Sequence, residues 1–155
     1  CGTPSHTSFI AQQNEALCAL TSKPHAVRKL MLEFDETQQM MRVRSALLGR
    51  DVQGCYPVMI QRWTVICAQQ LGMSPKICPV IVPPCVLQRT DAPTLWAAVN
   101  NMGARRLWDM FDGASFGILS IVSDRCATNE SVIAHAIRTK PDHVAVNSHG
   151  CNAHE

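Results

Sequence analysis

Apolar residues recur at helical spacing through most of the first half of the chain. Phe9, Ile10, Leu17, Cys18 and Leu20 do so between Ser8 and Thr21, which predicts a helix that ends before Ser22-Lys23-Pro24. From about 24 to 48, Val27, Leu30, Met31, Phe34, Met41 and Leu48 keep one stripe, and Gly49 can supply a left-handed stop. That pattern predicts one long amphipathic helix, or two broken near Thr37. A further helix is expected from about 56 to 71, with Ile60, Trp63, Cys67 and Leu71 on one face and Gly72 after it.

The pattern changes at Ile77. "ICPVIV" is short, apolar and β-branched and is ended by two prolines, which suits a strand. Asp91 is placed to cap a helix carrying Leu95, Trp96, Val99 and Met102, and Leu107, Trp108 and Phe111 continue a second helical piece to Gly113. "FGILSIV", 116 to 122, reads as a buried strand. Thr128 or Asn129 is expected to cap a helix with Val132, Ile133, Ala136 and Ile137, after which "HVAV", 143 to 146, gives another strand. Strand, helix and strand in succession form a βαβ unit, whose crossover makes the strands parallel. The expected fold is therefore α/β: an N-terminal helical portion (about 8–72) packed on a small, mainly parallel sheet within an α/β part (about 76–150). All of this is one domain, 1–155, with a mostly α fold as the alternative.

Composition narrows the function classes. Hydrophobic residues make up 46% and charged residues 17%, a globular balance that argues against disorder. A net charge of +2 is too small to select a nucleic-acid or anionic-membrane partner by electrostatics, so nucleic acid is not favoured. The longest apolar run, "CPVIVPPCVL", is cut by prolines and is shorter than a membrane-spanning helix requires, so no span is expected. The eight cysteines include no CxxC pair, and Cys18 and Cys67 fall on apolar faces where free thiols are common. A mostly reduced, cytoplasmic protein is favoured over a secreted one. Against it stand the even cysteine count, the sequon Asn129-Glu130-Ser131 and the opening Cys1, which would suit a lipid-anchored chain or an N-terminal nucleophile. The oligomeric state is left open.

In a parallel sheet, ligands bind beyond the carboxyl ends of the strands, where loops and helix N-termini meet. The first strand of the βαβ unit runs into Ser123, Asp124, Arg125 and Cys126, and the second into Asn147, Ser148, His149 and Gly150. Thr128 and Asn129 at the helix start add exposed amides for an anion. The expected site has His149 and Asp124 as an acid–base pair, with Ser123, Cys126, Thr128, Asn129, Asn147, Ser148 and Gly150 contacting the ligand. Cys126 or Ser148 would serve as nucleophile if one is used. Two readings compete: a metal bound by His149, Cys151 and His154 with Glu155 or Asp124, and a polar C-terminal tail without a site. Taken by itself the polar tail is preferred to both the site and the metal, and the metal is the least favoured, so no metal is expected and no cofactor is specified.

"ATNESVIAHAIRTKPDHVAVNSHG", 127 to 150, resembles the helix and strand that precede the Ser-His-Gly turn of universal stress proteins, an α/β family many of whose members bind ATP. The family's glycine-rich phosphate loop has no counterpart after Gly150, where only "CNAHE" follows. "SIVSD", 120 to 124, is similar to a strand end of nucleoside phosphorylases over five residues. Both resemblances imply the βαβ unit. The expected function is binding of a phosphorylated or nucleotide-like small molecule at the sheet's carboxyl edge, with acid–base catalysis if chemistry follows. The alternative is a secreted or lipid-anchored, disulfide-stabilised interaction protein without an active site.

Overall fold

A computed structural model describes residues 11–13, 15, 16, 19, 25–68, 74, 76–82, 84–102 and 105–150. It overturns the expectation for the first half. The stretch predicted as a long helix is β1 (His25–Ser45), and the stretch from 56 onward belongs to β2 (Arg50–Ala68). The two form one antiparallel hairpin, in register from Val27 opposite Ala68 to Ser45 opposite Arg50. Neither an N-terminal helical portion on a sheet nor a mostly α fold describes this chain. Of the first predicted helix, residues 11–13, 15, 16 and 19 are helical and the rest lie outside the described residues.

Alternation explains the correction. In β1 the side chains of Arg28, Leu30, Leu32 and Phe34 are buried while Glu33 and Asp35 are exposed. In β2, from Met59 onward, the buried positions are Met59, Gln61, Trp63, Val65 and Cys67. Both are the two-residue period of a strand. Beyond Asp35 the phase inverts: Thr37, Met41, Val43 and Ser45 are half-buried and the positions between them are exposed. The inversion appears in β2 as the consecutive buried pair Val58 and Met59.

Later elements follow the expected order more closely. The predicted strand at 77 is β3 (Lys76–Ile81), followed by β4 (Cys85–Val86); both pair antiparallel with β2. Helix α1 (Ala92–Asn100) begins after Asp91, whose Oδ1 accepts the Thr94 N–H at 3.0 Å. Short strands β5 (Asn101–Met102) and β6 (Arg105–Arg106) pair with each other, and a 3-10 turn spans Trp108–Phe111. Strand β7 (Ala114–Ser123), helix α2 (Ala127–Thr139) and strand β8 (Val144–Gly150) form the predicted βαβ unit, with β7 and β8 parallel. The cap of α2 is Cys126, before the predicted Thr128 or Asn129.

The main sheet runs β3-β2-β1-β7-β8, with β4 also on β2, and is mixed rather than mainly parallel. Strand β1 is the pivot, antiparallel to β2 and parallel to β7. One face carries the core, in which Leu30, Leu32, Trp63, Val65, Leu119, Ile121 and Val144 of the sheet join Leu95 and Val99 of α1, Val132, Ile133 and Ala136 of α2, and Met110 and Phe111 of the turn. Arg28 is fully buried on that face, and its Nη1 donates to the Met110 and Asp112 carbonyls at 2.6 Å each. It sits in register with Cys67 and Gly117, so it ties the 3-10 turn to the middle of the sheet. On the opposite face Ile60, Ile77 and Phe116 remain exposed. No described helix is long and apolar enough to cross a membrane.

Candidate functional site

Strand β7 stops at Ser123, and its pairing with β1 ends at Glu33, but β1 runs on to Ser45 beside β2 alone. A step is left where the parallel neighbour ends. A cavity of about 350 Å³ occupies that step, lined by Glu33, Phe34, Asp35, Ile60, Arg62, Val122, Ser123 and Asp124. Phe34, Ile60 and Val122 supply an apolar surface, and three carboxylates and one guanidinium surround it.

Register places these groups. Arg62, Glu33, Val122 and His149 lie in one cross-strand row over β2, β1, β7 and β8, and Ile60 and Asp35 pair two positions further along β1, on the same face. Arg62 Nη1 stands 4.0 Å from Glu33 Oε2 in an exposed ion pair, which contributes little stability but fixes the charge pattern. The Asp35 carboxylate accepts the Glu36 N–H at 2.8 Å. Burial pushes the Glu36 carboxyl up from its ordinary value, and the neighbouring charges of Asp124 and Asp35 add to the shift. The rim is thus an acidic field of converging carboxylates.

Asp124 lines the cavity, and Asn129 holds it in place. Asn129 is buried in the first turn of α2; its Nδ2 donates to the Asp124 carbonyl at 3.2 Å and to the Asp124 carboxylate. Two of the sequence-expected residues are therefore brought together. His149 is not joined to Asp124: it is exposed on β8 and pairs in register with Val122, and its side chain makes no hydrogen bond among the described residues. Asn147 and Ser148 are also exposed, opposite Ser120 and Ile121, because β8 extends through residues expected to form a loop. Ser123 is buried and pairs with Gly150, over which the Arg125 side chain lies. Thr128 is half-buried, and Cys126 is exposed, its carbonyl accepting the Glu130 N–H at 3.0 Å.

Glu33, Phe34, Asp35, Ile60 and Arg62 were absent from the expectation because β1 and β2 read as helices. The alternation Leu30-Met31-Leu32-Glu33-Phe34-Asp35 was the available signal, an apolar-in, polar-out strand running into two acids. Cys151, His154 and Glu155 of the metal reading lie outside the described residues, and no group of three or more His, Cys, Asp or Glu placed to hold a metal occurs among the described ones. Cys55, Cys67, Cys78, Cys85 and Cys126 are free thiols. Comparison with known proteins found no protein-family model and no curated protein that match this chain.

Proposed function

We propose that the chain binds a small nucleotide-like molecule in the cavity at the end of β7. The observation that carries this reading is the placement of the cavity: its wall at Asp124 leads directly into Arg125, Cys126 and the first turn of α2. Its volume, about 350 Å³, falls within the range of small-molecule pockets. The carboxylates of Glu33, Asp35 and Asp124 suit hydroxyl or amine donors of a sugar or base, and Phe34, Ile60 and Val122 suit a ring. A phosphate is disfavoured among those carboxylates. It is directed outward, to Arg125 and the amides of Ala127 and Thr128 at the positive end of α2. This binding mode uses Asp124, Thr128 and Asn129 and makes no demand on His149; an acid–base role for His149 would require the ligand to extend past Val122 towards β8.

Thermal stabilisation by a panel of nucleosides, nucleotides and inorganic phosphate tests the proposal. Nucleotides should stabilise the chain, nucleosides less so, and Arg125→Gln should remove the difference between them. Equal stabilisation by inorganic phosphate alone would contradict a site built around the cavity.

A further inference from the structure

We propose that a second site, the groove between α1 and α2, binds a planar aromatic carboxylate. This groove has a volume of about 420 Å³ and is lined by Ala92, Pro93 and Trp96 of α1 and by Ser131, Ala134, His135 and Arg138 of α2. It shares no lining residue with the cavity at Glu33 and Asp124. On α2 the lining residues recur at helical spacing, so they form one stripe facing α1.

The chemistry of the lining selects the ligand. No acid is among the described residues that line the groove, whereas Arg138 is a permanent cation with more donors than the His135 imidazole beside it can use. Arg138 Nη2 lies 3.5 Å from His135 Nδ1; with Nδ1 accepting from the guanidinium, the imidazole hydrogen is on Nε2, a second donor. The half-buried Trp96 holds its ring centroid 4.7 Å from that of His135, at 61°. Trp96 packs against the core and stands 6.1 Å from Trp108, which makes it a braced wall rather than a loose side chain. Pro93 adds a second flat apolar surface. A ring would lie against Trp96 and Pro93 while its carboxylate takes the guanidinium and imidazole N–H groups.

Benzoate is the probe, with benzamide as its neutral counterpart and benzylamine as its cationic one. Titrations of the full chain follow the indole N–H resonance of Trp96, identified by its loss in Trp96→Phe. Saturable benzoate shifts are expected, with benzamide and benzylamine binding at least roughly tenfold more weakly. Arg138→Gln should weaken benzoate by a similar factor, and Arg138→Lys by less, because it keeps the charge without the fork. Equal binding of benzoate and benzamide would overturn the proposal, as would an absence of saturation up to about 10 mM benzoate. Because the ligand comparison uses the unaltered protein, it decides the matter even where a variant fails to fold.

Discussion

Gly117→Ala probes the seat of the 3-10 turn on the sheet. Gly117 is buried in β7, in register with Arg28 on one side and Val144 on the other, and its N–H donates to the His143 carbonyl at 2.8 Å. A Cβ at this position would overlap Phe111 Cδ1 and stand 3.0 Å from Val144 Cγ2. Phe111 is fully buried, and Arg28 holds the carbonyls of the residues on either side of it, so the ring has little room to retreat. Overpacking of this kind costs about 1–3 kcal/mol. Alanine recovers about 0.5–1 kcal/mol of backbone entropy relative to glycine. With the ring pinned, the overpacking lies in the upper half of its range, so the net expectation is a loss of about 1–2.5 kcal/mol, or a fall in Tm of about 2–10 °C for a chain of this size. Phe111→Leu, destabilising by itself, should suppress part of that loss, so that the double variant is less destabilised than the sum of the singles. Calorimetry or urea unfolding measures all three. Were Gly117→Ala neutral, or the two changes strictly additive, Phe111 would not be seated against β7 and the register of the sheet's core face would be wrong.

Other consequences follow from single interactions. Asn129→Ala removes both hydrogen bonds to Asp124 and should cost about 1–3 kcal/mol in urea unfolding, with weaker ligand binding at the cavity; unchanged stability would contradict the role given to Asn129. Burial pushes the Cys67 thiol up from its ordinary value, only partly countered by its hydrogen bond to Arg28, so peptide mapping after brief alkylation should find Cys67 modified after the exposed Cys55, Cys85 and Cys126. The Glu36 carboxyl lies above its ordinary value, so the native state holds that proton more tightly than the unfolded chain. Its stabilising share is present at acid pH and lost as pH rises through the folded-state value. Glu36→Gln should therefore raise Tm modestly at neutral pH and leave it unchanged below the glutamate range; a fall in Tm at neutral pH would reverse the assignment.

The second half of the fold was legible because its signals were local. "FGILSIV" is too apolar and too short for a surface helix, Asp91 stands at a helix start with its partner Thr94 in place, and the spacing between strands leaves room for one crossover helix. The hairpin was not legible for three physical reasons. Met, Leu, Glu, Gln and Arg in β1 are good helix formers, and local propensity favoured the state that tertiary pairing overrode. Arg28 occupies a core position and interrupts the apolar alternation at its start. The burial phase then inverts beyond Asp35, so no single period of two runs the length of the strand, and a 3.6-residue stripe fits the surviving apolar positions about as well.

The candidate site was half legible for the same reason. Knowing that β7 and β8 are parallel located Asp124, Asn129 and the start of α2 at one end of the sheet. Which strand lies on the other side of β7 depends on a long-range pairing, and β1 brings Glu33, Phe34 and Asp35 there from about ninety residues away in sequence. His149 lies at that same end of the sheet, but the extension of β8 to Gly150 puts it on the edge strand, one strand beyond the cavity wall.

The most direct test of the cavity as the ligand site is a chemical-shift map of the 15N-labelled chain titrated with a nucleotide. Saturable shifts are expected at the amides of Glu33, Asp35, Val122, Asp124 and Thr128, and their loss is expected in Val122→Trp, which fills the cavity. Shifts centred elsewhere, or undiminished in Val122→Trp, would contradict the cavity as the ligand site.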